Sequence, residues 1–222
     1  MDKKLDLPII SSIENLKFLS GALSEEKIID LLSDIKHRVF PRPFERLSGL
    51  RERAGGAEGL IGIEIGVAGG EHALSLLKTL HIAKLYLIDP YEMYESYTEG
   101  VKHYGMDQKP LLETESLARK LLEPYSDKLV WIKNLSSEAV NEINELVDFV
   151  YIDGNHQEEF VIEDIENYFP LVRQGGILGG HDFYNGFQRE HDGVVNSVTS
   201  FATKNSLGLR SEMPDWWVEK RD

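Results

Sequence analysis

The chain has 222 residues, of which 41% are hydrophobic and 28% charged, a composition typical of a soluble globular protein with one sizeable core. Its 38 Asp and Glu against 24 Lys and Arg give a net charge of −14, which disfavours binding to nucleic acids and to anionic membranes. The absence of Cys excludes disulfides, thiolate metal sites and a Cys nucleophile, so a metal ion would need oxygen or imidazole ligands. No apolar run approaches the length of a signal sequence or a membrane span, and we expect a cytoplasmic protein.

Residues 1–59 predict an N-terminal helical extension and a linker. After Ser24 the apolar residues recur at helical spacing until Pro41. Residues 41–59, with two Pro and Gly55-Gly56, predict either a lid-like loop or an ordinary surface linker. We expect one main domain over residues 60–222.

From residue 60 onward, short apolar runs alternate with longer amphipathic stretches, the pattern of an α/β protein with a doubly wound, mostly parallel sheet. The predicted strands cover residues 62–66, 84–89, 129–133, 147–153 and 176–180. One predicted helix carries Ala73, Leu76, Leu77 and Leu80, and a second carries the stripe from Val161 to Val172 and stops at Gly175-Gly176. A helix over residues 192–204 then precedes two short strands, residues 207–210 and 216–218, which predict an antiparallel edge.

A glycine-rich turn joins the first strand to its helix, in the sequence Glu64-Ile-Gly66-Val-Ala68-Gly-Gly70. Small residues there let a ligand approach the backbone, and in doubly wound sheets this turn lies at the ligand-binding crevice. The next strand ends in Asp89, and a carboxylate at that place can accept both hydroxyls of a ribose. The alternative is a tight structural turn, with Asp89 as a capping or loop acid.

The spacing of the glycines distinguishes between the possible classes of ligand. A dinucleotide fingerprint counted from Gly66 would need glycines where the chain has Ala68 and Glu71, and a Walker phosphate loop would need a Gly-Lys-Ser or Gly-Lys-Thr ending. The segment instead resembles the acid-x-Gly-x-Gly-x-Gly motif of class I S-adenosylmethionine-dependent methyltransferases, with Ala68 at the middle glycine. Since a sulfonium cofactor is cationic, the carboxylate of Glu64 is tolerable near it.

Two further clusters follow the fourth and fifth predicted strands. The fourth strand ends in Asp153-Gly-Asn-His156 and the fifth in Gly180-His181-Asp182. Because neighbouring parallel strands end at the same edge, we expect these four side chains to converge on a divalent-cation site, with His156 as a general base. The alternative is that both aspartates cap helices and that His181 is an ordinary loop residue.

The stretch 148–184, with Tyr-Ile-Asp-Gly-Asn-His and Gly-Gly-His-Asp-Phe-Tyr, resembles the metal-dependent O-methyltransferases of the macrocin and mycinamicin type and the cephalosporin-hydroxylase-like proteins. With the motif at Glu64 and the tail at Asp215-Trp-Trp-Val, the resemblance covers about residues 60–220. It implies a seven-stranded sheet with an antiparallel last strand, the class I methyltransferase fold, an S-adenosylmethionine cofactor and a divalent cation of the magnesium class. It places the cation on Asp153, His181 and Asp182, and the base on His156.

Two positions depart from the pattern of these relatives. His181 stands where they commonly carry a carboxylate, which bears on the preference for magnesium. Leu135 stands where many relatives have an acid that faces the adenine, which leaves Ser136, with Asn134 as the alternative, as the predicted contact. The acidic stretch from Glu158 to Glu166 is interpreted as a solvated helix face. The tyrosines that follow Asp89 predict either a substrate lid or packing of a helix against the sheet.

The sequence thus predicts transfer of a methyl group from S-adenosylmethionine to a hydroxyl of a small molecule such as a sugar or a natural-product-like metabolite, with metal assistance. The predicted cofactor-binding residues are Glu64, Gly66, Ala68, Gly70, Asp89 and Ser136. An NAD-dependent Rossmann oxidoreductase and a non-catalytic S-adenosylmethionine-binding protein are the alternatives. The identity of the acceptor and a homo-oligomeric state are left open.

Overall fold

The computed structural model describes residues 44, 50, 58–94, 96–97, 106–183 and 192–221. The helix expected between Ser24 and Pro41 lies outside the described residues. Within the described part of the chain, no helix is long and apolar enough to cross a membrane.

Seven strands of the described residues form one mixed sheet. In chain order they are β1 (Leu60–Ile65), β2 (Ile82–Ile88), β3 (Leu129–Ile132), β4 (Val147–Ile152), β5 (Val172–Gly180), β6 (Arg210–Glu212) and β7 (Asp215–Glu219). Across the sheet they lie in the order β3-β2-β1-β4-β5-β7-β6. The first five run parallel, and β7 is antiparallel to β5 and β6. The predicted seven-stranded sheet with an antiparallel last strand is confirmed.

Helices cover the sheet on both faces, as the complete burial of β4 requires. They are α1 (Glu71–Thr79), α2 (Lys109–Leu122), α3 (Ser136–Ala139), α4 (Glu158–Tyr168) and α5 (Asp192–Lys204). Helix α1 packs against α2, and α4 packs against α5. The main core contains alternate residues of the central strands, such as Ile63, Ile65, Val150 and Ile152, together with Val161 and Ile165 of α4. The strand order reverses between β1 and β4, which places a crevice beyond their carboxyl ends.

The second predicted helix ends earlier than expected. Helix α4 stops at Tyr168, a 3-10 turn covers Phe169–Leu171, and Val172 is the first residue of β5. Pro170 explains the difference, because proline has no N–H to donate and its ring clashes with the preceding helical turn. Gly175 and Gly176, which we expected to stop the helix, lie inside the strand instead.

The first strand of the tail begins later than predicted, at Arg210 instead of Leu207. The N–H of Leu207 donates to the carbonyl of Ala202, and Ser206 adopts φ 54°. This is the hydrogen-bond pattern of a helix end. Leu207 therefore caps the carboxyl end of α5, which stops at Lys204, and does not start a strand.

Phe44 and Leu50, the described residues of the predicted linker before residue 58, belong to the same structural unit as the sheet. Phe44 is completely buried, and its ring makes edge contacts with Phe149 and Tyr151 of β4 at centroid distances of 5.8 and 4.9 Å. Its N–H donates to Asp215 at 3.0 Å, and Asp215 also accepts from the Tyr151 hydroxyl. At this residue the predicted linker therefore contributes to the core.

Candidate active site

A cleft of about 230 Å³ lies at the carboxyl ends of the central strands. Its wall is contributed by the turns that follow β1, β2, β3 and β4. Five of the predicted site residues line it. Gly66 and Ala68 come from the turn after β1, and the other three follow β2, β3 and β4: Asp89, Ser136 and Asp153. The crevice expected at the reversal of strand order is therefore present.

Gly66 begins the turn that follows β1 and adopts φ 83°, a conformation that glycine tolerates best. Its N–H donates to the carbonyl of Ile88. A Cβ at this position would lie 2.0 Å from the carbonyl oxygen of Asp153, so the space beside the β4 backbone admits only glycine.

Ala68 is also in the left-handed region, at φ 46°. This is the position at which the sequence replaces the middle glycine of the motif, so the chain keeps a glycine-like backbone with an alanine. The Tyr91 hydroxyl donates to the Ala68 carbonyl at 2.9 Å, which fixes the turn against the residues that follow β2.

Asp89 holds the turn together. Its Oδ2 accepts the N–H groups of Val67 and Ala68 at 3.0 Å each, and its Oδ1 accepts the N–H of Tyr91 at 2.9 Å. Burial raises the pKa of Asp89 above its ordinary value, although these three hydrogen bonds oppose that shift. A carboxylate has about four acceptor positions. In this arrangement Asp89 therefore has room for one ribose hydroxyl, whereas we expected it to accept two.

Glu64 and Gly70 are not among the described residues that line the cleft. Glu64 is 1% exposed, and its Oε1 lies 3.1 Å from Nδ1 of His72, to which we had assigned no role. The His72 ring packs on Tyr151 at a centroid distance of 4.0 Å. Gly70, at φ 82°, precedes the first residue of α1. Neither residue is therefore part of the described cleft wall.

Asp164 lies on the buried face of α4, lines the cleft and is 3% exposed. Our interpretation of this stretch as a solvated face is correct for Glu159, Glu163 and Glu166, which are exposed, and wrong for Asp164. The position follows Val161 by three residues and precedes Tyr168 by four, so the helical periodicity of the core stripe could have identified it. Burial raises the pKa of Asp164 to about 7, against the lowering effect of a hydrogen bond with Ser136.

The four residues of the second cluster converge. Nε2 of His156 lies 2.7 Å from Oδ2 of Asp182 and 3.9 Å from Oδ1 of Asp153. Nδ1 of His181 lies 3.1 Å from Oδ2 of Asp182 and 3.7 Å from Oδ1 of Asp153. Asp182 adopts φ 59°, an uncommon conformation for a residue other than glycine, and such strained backbone is often found at functional sites.

The backbone explains why the clusters meet. Ile152 of β4 pairs with Gly180 of β5, and the N–H of His181 donates to the Ile152 carbonyl at 3.0 Å. The loop that carries His156 is packed against the start of α5, since a Cβ on Gly193 would lie 2.6 Å from the His156 carbonyl oxygen. The expectation that both clusters reach one edge of the sheet is confirmed.

The carboxylates of this cluster favour a positive charge beside them. Burial alone would lower the pKa of His156, but the adjacent carboxylates of Asp153 and Asp182 raise it to about 10. Despite its own burial, Asp182 has a pKa well below the usual range because of His156 and His181. One ligand atom from each of Asp153, His181 and Asp182 lies within 4.8 Å of the others. Two carboxylates and one imidazole form a donor set that fits a divalent cation with open positions.

Aromatic side chains form another part of the cleft wall. Tyr94 and Tyr97 stack at a centroid distance of 5.4 Å, and Tyr94 also contacts Phe160 of α4 at 6.3 Å. All three line the cleft with Tyr91. The tyrosines that follow Asp89 therefore face the crevice, whereas His103 and Tyr104 of the same stretch lie outside the described residues.

The sheet order and the cleft define the class I methyltransferase fold, and solved structures share it. They include an O-methyltransferase from Bacillus cereus in complex with SAH (S-adenosylhomocysteine), with 14% identity, a TM-score of 0.56 and coverage of 96% of this chain and 100% of that one. An SAH-bound methyltransferase from Podospora anserina has 9% identity, a TM-score of 0.58 and full coverage of both chains. An O-methyltransferase family protein from Burkholderia thailandensis has 14% identity, a TM-score of 0.55 and coverage of 97% of this chain and 71% of that one.

The family model described as "Methyltransferase domain" matches residues 63–183, more than half of the chain. The chain belongs to this methyltransferase-domain family. No curated protein matches it. The prediction of a methyltransferase is confirmed, and the alternative of a dinucleotide-dependent oxidoreductase loses its basis.

Proposed function

We propose that this protein transfers a methyl group from S-adenosylmethionine to a hydroxyl group of a small molecule, with the assistance of a divalent cation. The observation that carries the proposal is the adjacency of two sites. The turn of Gly66 and Ala68, bound by Asp89, touches the backbone of Asp153, which belongs to the Asp153, His181 and Asp182 cluster.

The cleft is the proposed cofactor site because its residues suit the groups of S-adenosylmethionine. The remaining acceptor position of Asp89 suits a ribose hydroxyl, and the glycine turn lets the cofactor approach the backbone. The Bacillus cereus and Podospora anserina structures, which share the fold, are complexes with SAH. Gly66, Ala68, Asp89 and Ser136 are the proposed contacts, whereas Glu64 and Gly70 act on the shape of the turn.

We place the hydroxyl group that accepts the methyl group beside the cluster of Asp153, His181 and Asp182. Asp153, His181 and Asp182 would hold the cation, which would lower the pKa of a bound hydroxyl. His156, 2.7 Å from Asp182, is the proposed base. In the cation-free protein its pKa of about 10 keeps it protonated at neutral pH, so the proposed role applies to the cation-loaded protein. The aromatic wall of Tyr94, Tyr97 and Phe160 suits a sugar or a flat ring.

The predicted ligands are not the set that Mg²⁺ prefers, because Mg²⁺ prefers oxygen ligands and His181 offers nitrogen. Mn²⁺ and other first-row cations accept mixed oxygen and imidazole sites. We therefore propose a divalent cation and treat its identity as an outcome of the experiment.

A transfer assay tests the proposal. The protein is incubated with S-adenosylmethionine labelled in the methyl group, with Mg²⁺ or Mn²⁺, and with sets of hydroxylated sugars, glycosides and phenols. We expect label in at least one acceptor and about 100-fold less in His156→Ala. His81→Ala, a change at an exposed histidine on the loop before β2, should retain the parent rate. Binding of SAH without transfer to any acceptor would favour the non-catalytic alternative.

A further inference from the structure

One buried carboxylate in the cleft has no part in the function proposed above. Asp164 of α4 lines the cleft and is 3% exposed. Burial of an ionisable carboxyl group costs free energy unless hydrogen-bond donors compensate for the lost water. A ligand bound in the cleft would be placed to supply a further donor.

The surroundings of Asp164 define one end of the cleft. Ser136, the first residue of α3, also lines the cleft, and as a hydrogen-bond partner its side chain lowers the pKa of Asp164. On the β4 side, a Cβ on Gly154 would lie 3.8 Å from Oδ2 of Asp164, so the carboxyl group is close to the cleft floor. Leu135, the residue before Ser136, also lines the cleft but cannot form a side-chain hydrogen bond.

The remaining walls at this end are apolar or aromatic. Leu111 of α2, Leu135 and Phe160 line the same cleft as Asp164. A flat ring fits between such walls, and a polar group on the edge of the ring would meet the carboxylate. An ionised carboxylate only accepts hydrogen bonds, so the group on the ring edge must be a donor.

Adenine has this arrangement, because its exocyclic N6 amine is a donor on the edge of a planar ring. We propose that Asp164 is a specificity-determining residue that accepts a hydrogen bond from the N6 amine of the adenine of the cofactor. This inference rests on the proposed function, since it takes S-adenosylmethionine as the donor. It assigns adenine recognition to α4 and to Ser136, not to residue 135.

Hypoxanthine provides the test, because it replaces the N6 amine by a carbonyl oxygen that would face the carboxylate acceptor to acceptor. Calorimetric titrations compare S-adenosylhomocysteine with S-inosylhomocysteine. They are run at about pH 8.5, well above the pKa of Asp164, which is raised to about 7, so that the carboxyl group is ionised. We expect the parent protein to bind the adenosyl compound about 10 to 100 times more tightly.

The variant Asp164→Asn keeps the shape of the side chain and an acceptor for Ser136, but its amide also donates to a carbonyl oxygen. The preference for the adenosyl compound should therefore fall to near unity or invert. Glu159→Gln is the matched control, since it removes one acid from an exposed position of the same helix, and it should keep the preference of the parent.

The outcomes separate this inference from the proposed function. If the parent binds neither compound, the proposed donor is wrong and the inference falls with it. If the parent binds both compounds equally, or if Asp164→Asn keeps the ratio of the parent, the donor stands and the role of Asp164 is refuted. The ratio for the parent alone provides a test even if the variant folds poorly.

Discussion

Gly66 lies so close to Asp153 that a Cβ on residue 66 would be 2.0 Å from the Asp153 carbonyl oxygen. The N–H of Asp153 in turn donates to the carbonyl of Ile65 at 2.8 Å. The backbone of the glycine turn thus positions the first acid of the second cluster. The proposed cofactor and cation sites share one stretch of main chain. A structural change in one site should therefore alter the geometry of the other.

The substitution Gly66→Ala tests this contact. The new methyl group would force the turn away from β4, and alanine would also be strained at φ 83°. We expect a loss of at least about 2 kcal/mol in the free energy of unfolding, measured by urea denaturation, and weaker binding of SAH. Gly208→Ala is the control, because a Cβ there would meet nothing within 4 Å. Equal stabilities of the two variants would show that the close approach is not a constraint.

Ala68 allows the reverse substitution, in which glycine replaces an alanine at positive φ. At φ 46° an alanine is strained, and glycine would relieve a cost of about 1 kcal/mol. We expect Ala68→Gly to raise the free energy of unfolding slightly or leave it unchanged, despite the greater flexibility of glycine in the unfolded chain. Ala83→Gly, at an exposed position of β2 outside the left-handed region, should lower it. A larger loss at residue 68 than at residue 83 would contradict the assigned backbone strain.

The central strands were predictable because strands covered on both faces are mostly apolar, as β4 is from Phe149 to Ile152. The convergence of Asp153 and Asp182 followed from the parallel direction of β4 and β5 alone. The pairing of Glu64 with His72 was not predictable, because it depends on how the first turn of α1 sits over the end of β1. Asp164 was missed because the other acids of the stretch are exposed, and the interpretation followed their charge instead of the period of the helix.

The raised pKa of Asp164 predicts a pH dependence of stability. Its pKa is about 7 in the folded protein and near 3.8 in the unfolded chain, so between these values the folded state binds the extra proton. The free energy of unfolding should therefore fall as the pH rises from about 4 to about 7, by up to about 4 kcal/mol relative to Asp164→Asn. Parallel urea titrations of the two proteins across this range measure the difference. A constant difference would contradict the assigned pKa.

His181→Asp tests the proposed cation ligands. The variant would offer three carboxylates in place of two carboxylates and an imidazole, a donor set that Mg²⁺ prefers. We expect calorimetry to show affinity for Mg²⁺ that is about tenfold higher than in the parent. His81→Asp, which adds the same charge at an exposed site on the loop before β2, should not change it. Equal gains in both variants would mean that the effect is one of net charge and not of ligation.

The central claim is that the cleft beside Gly66 and Asp89 binds the methyl donor. Calorimetric titration of the protein with S-adenosylhomocysteine, in the absence and in the presence of Mg²⁺ or Mn²⁺, measures this directly. We predict saturable binding of one molecule per chain, weakened in Asp89→Asn, because the amide nitrogen cannot accept the hydrogen bonds that hold the turn. The control Asp127→Asn, at an exposed position, should bind as the parent does. Absence of saturable binding under all of these conditions would contradict the account.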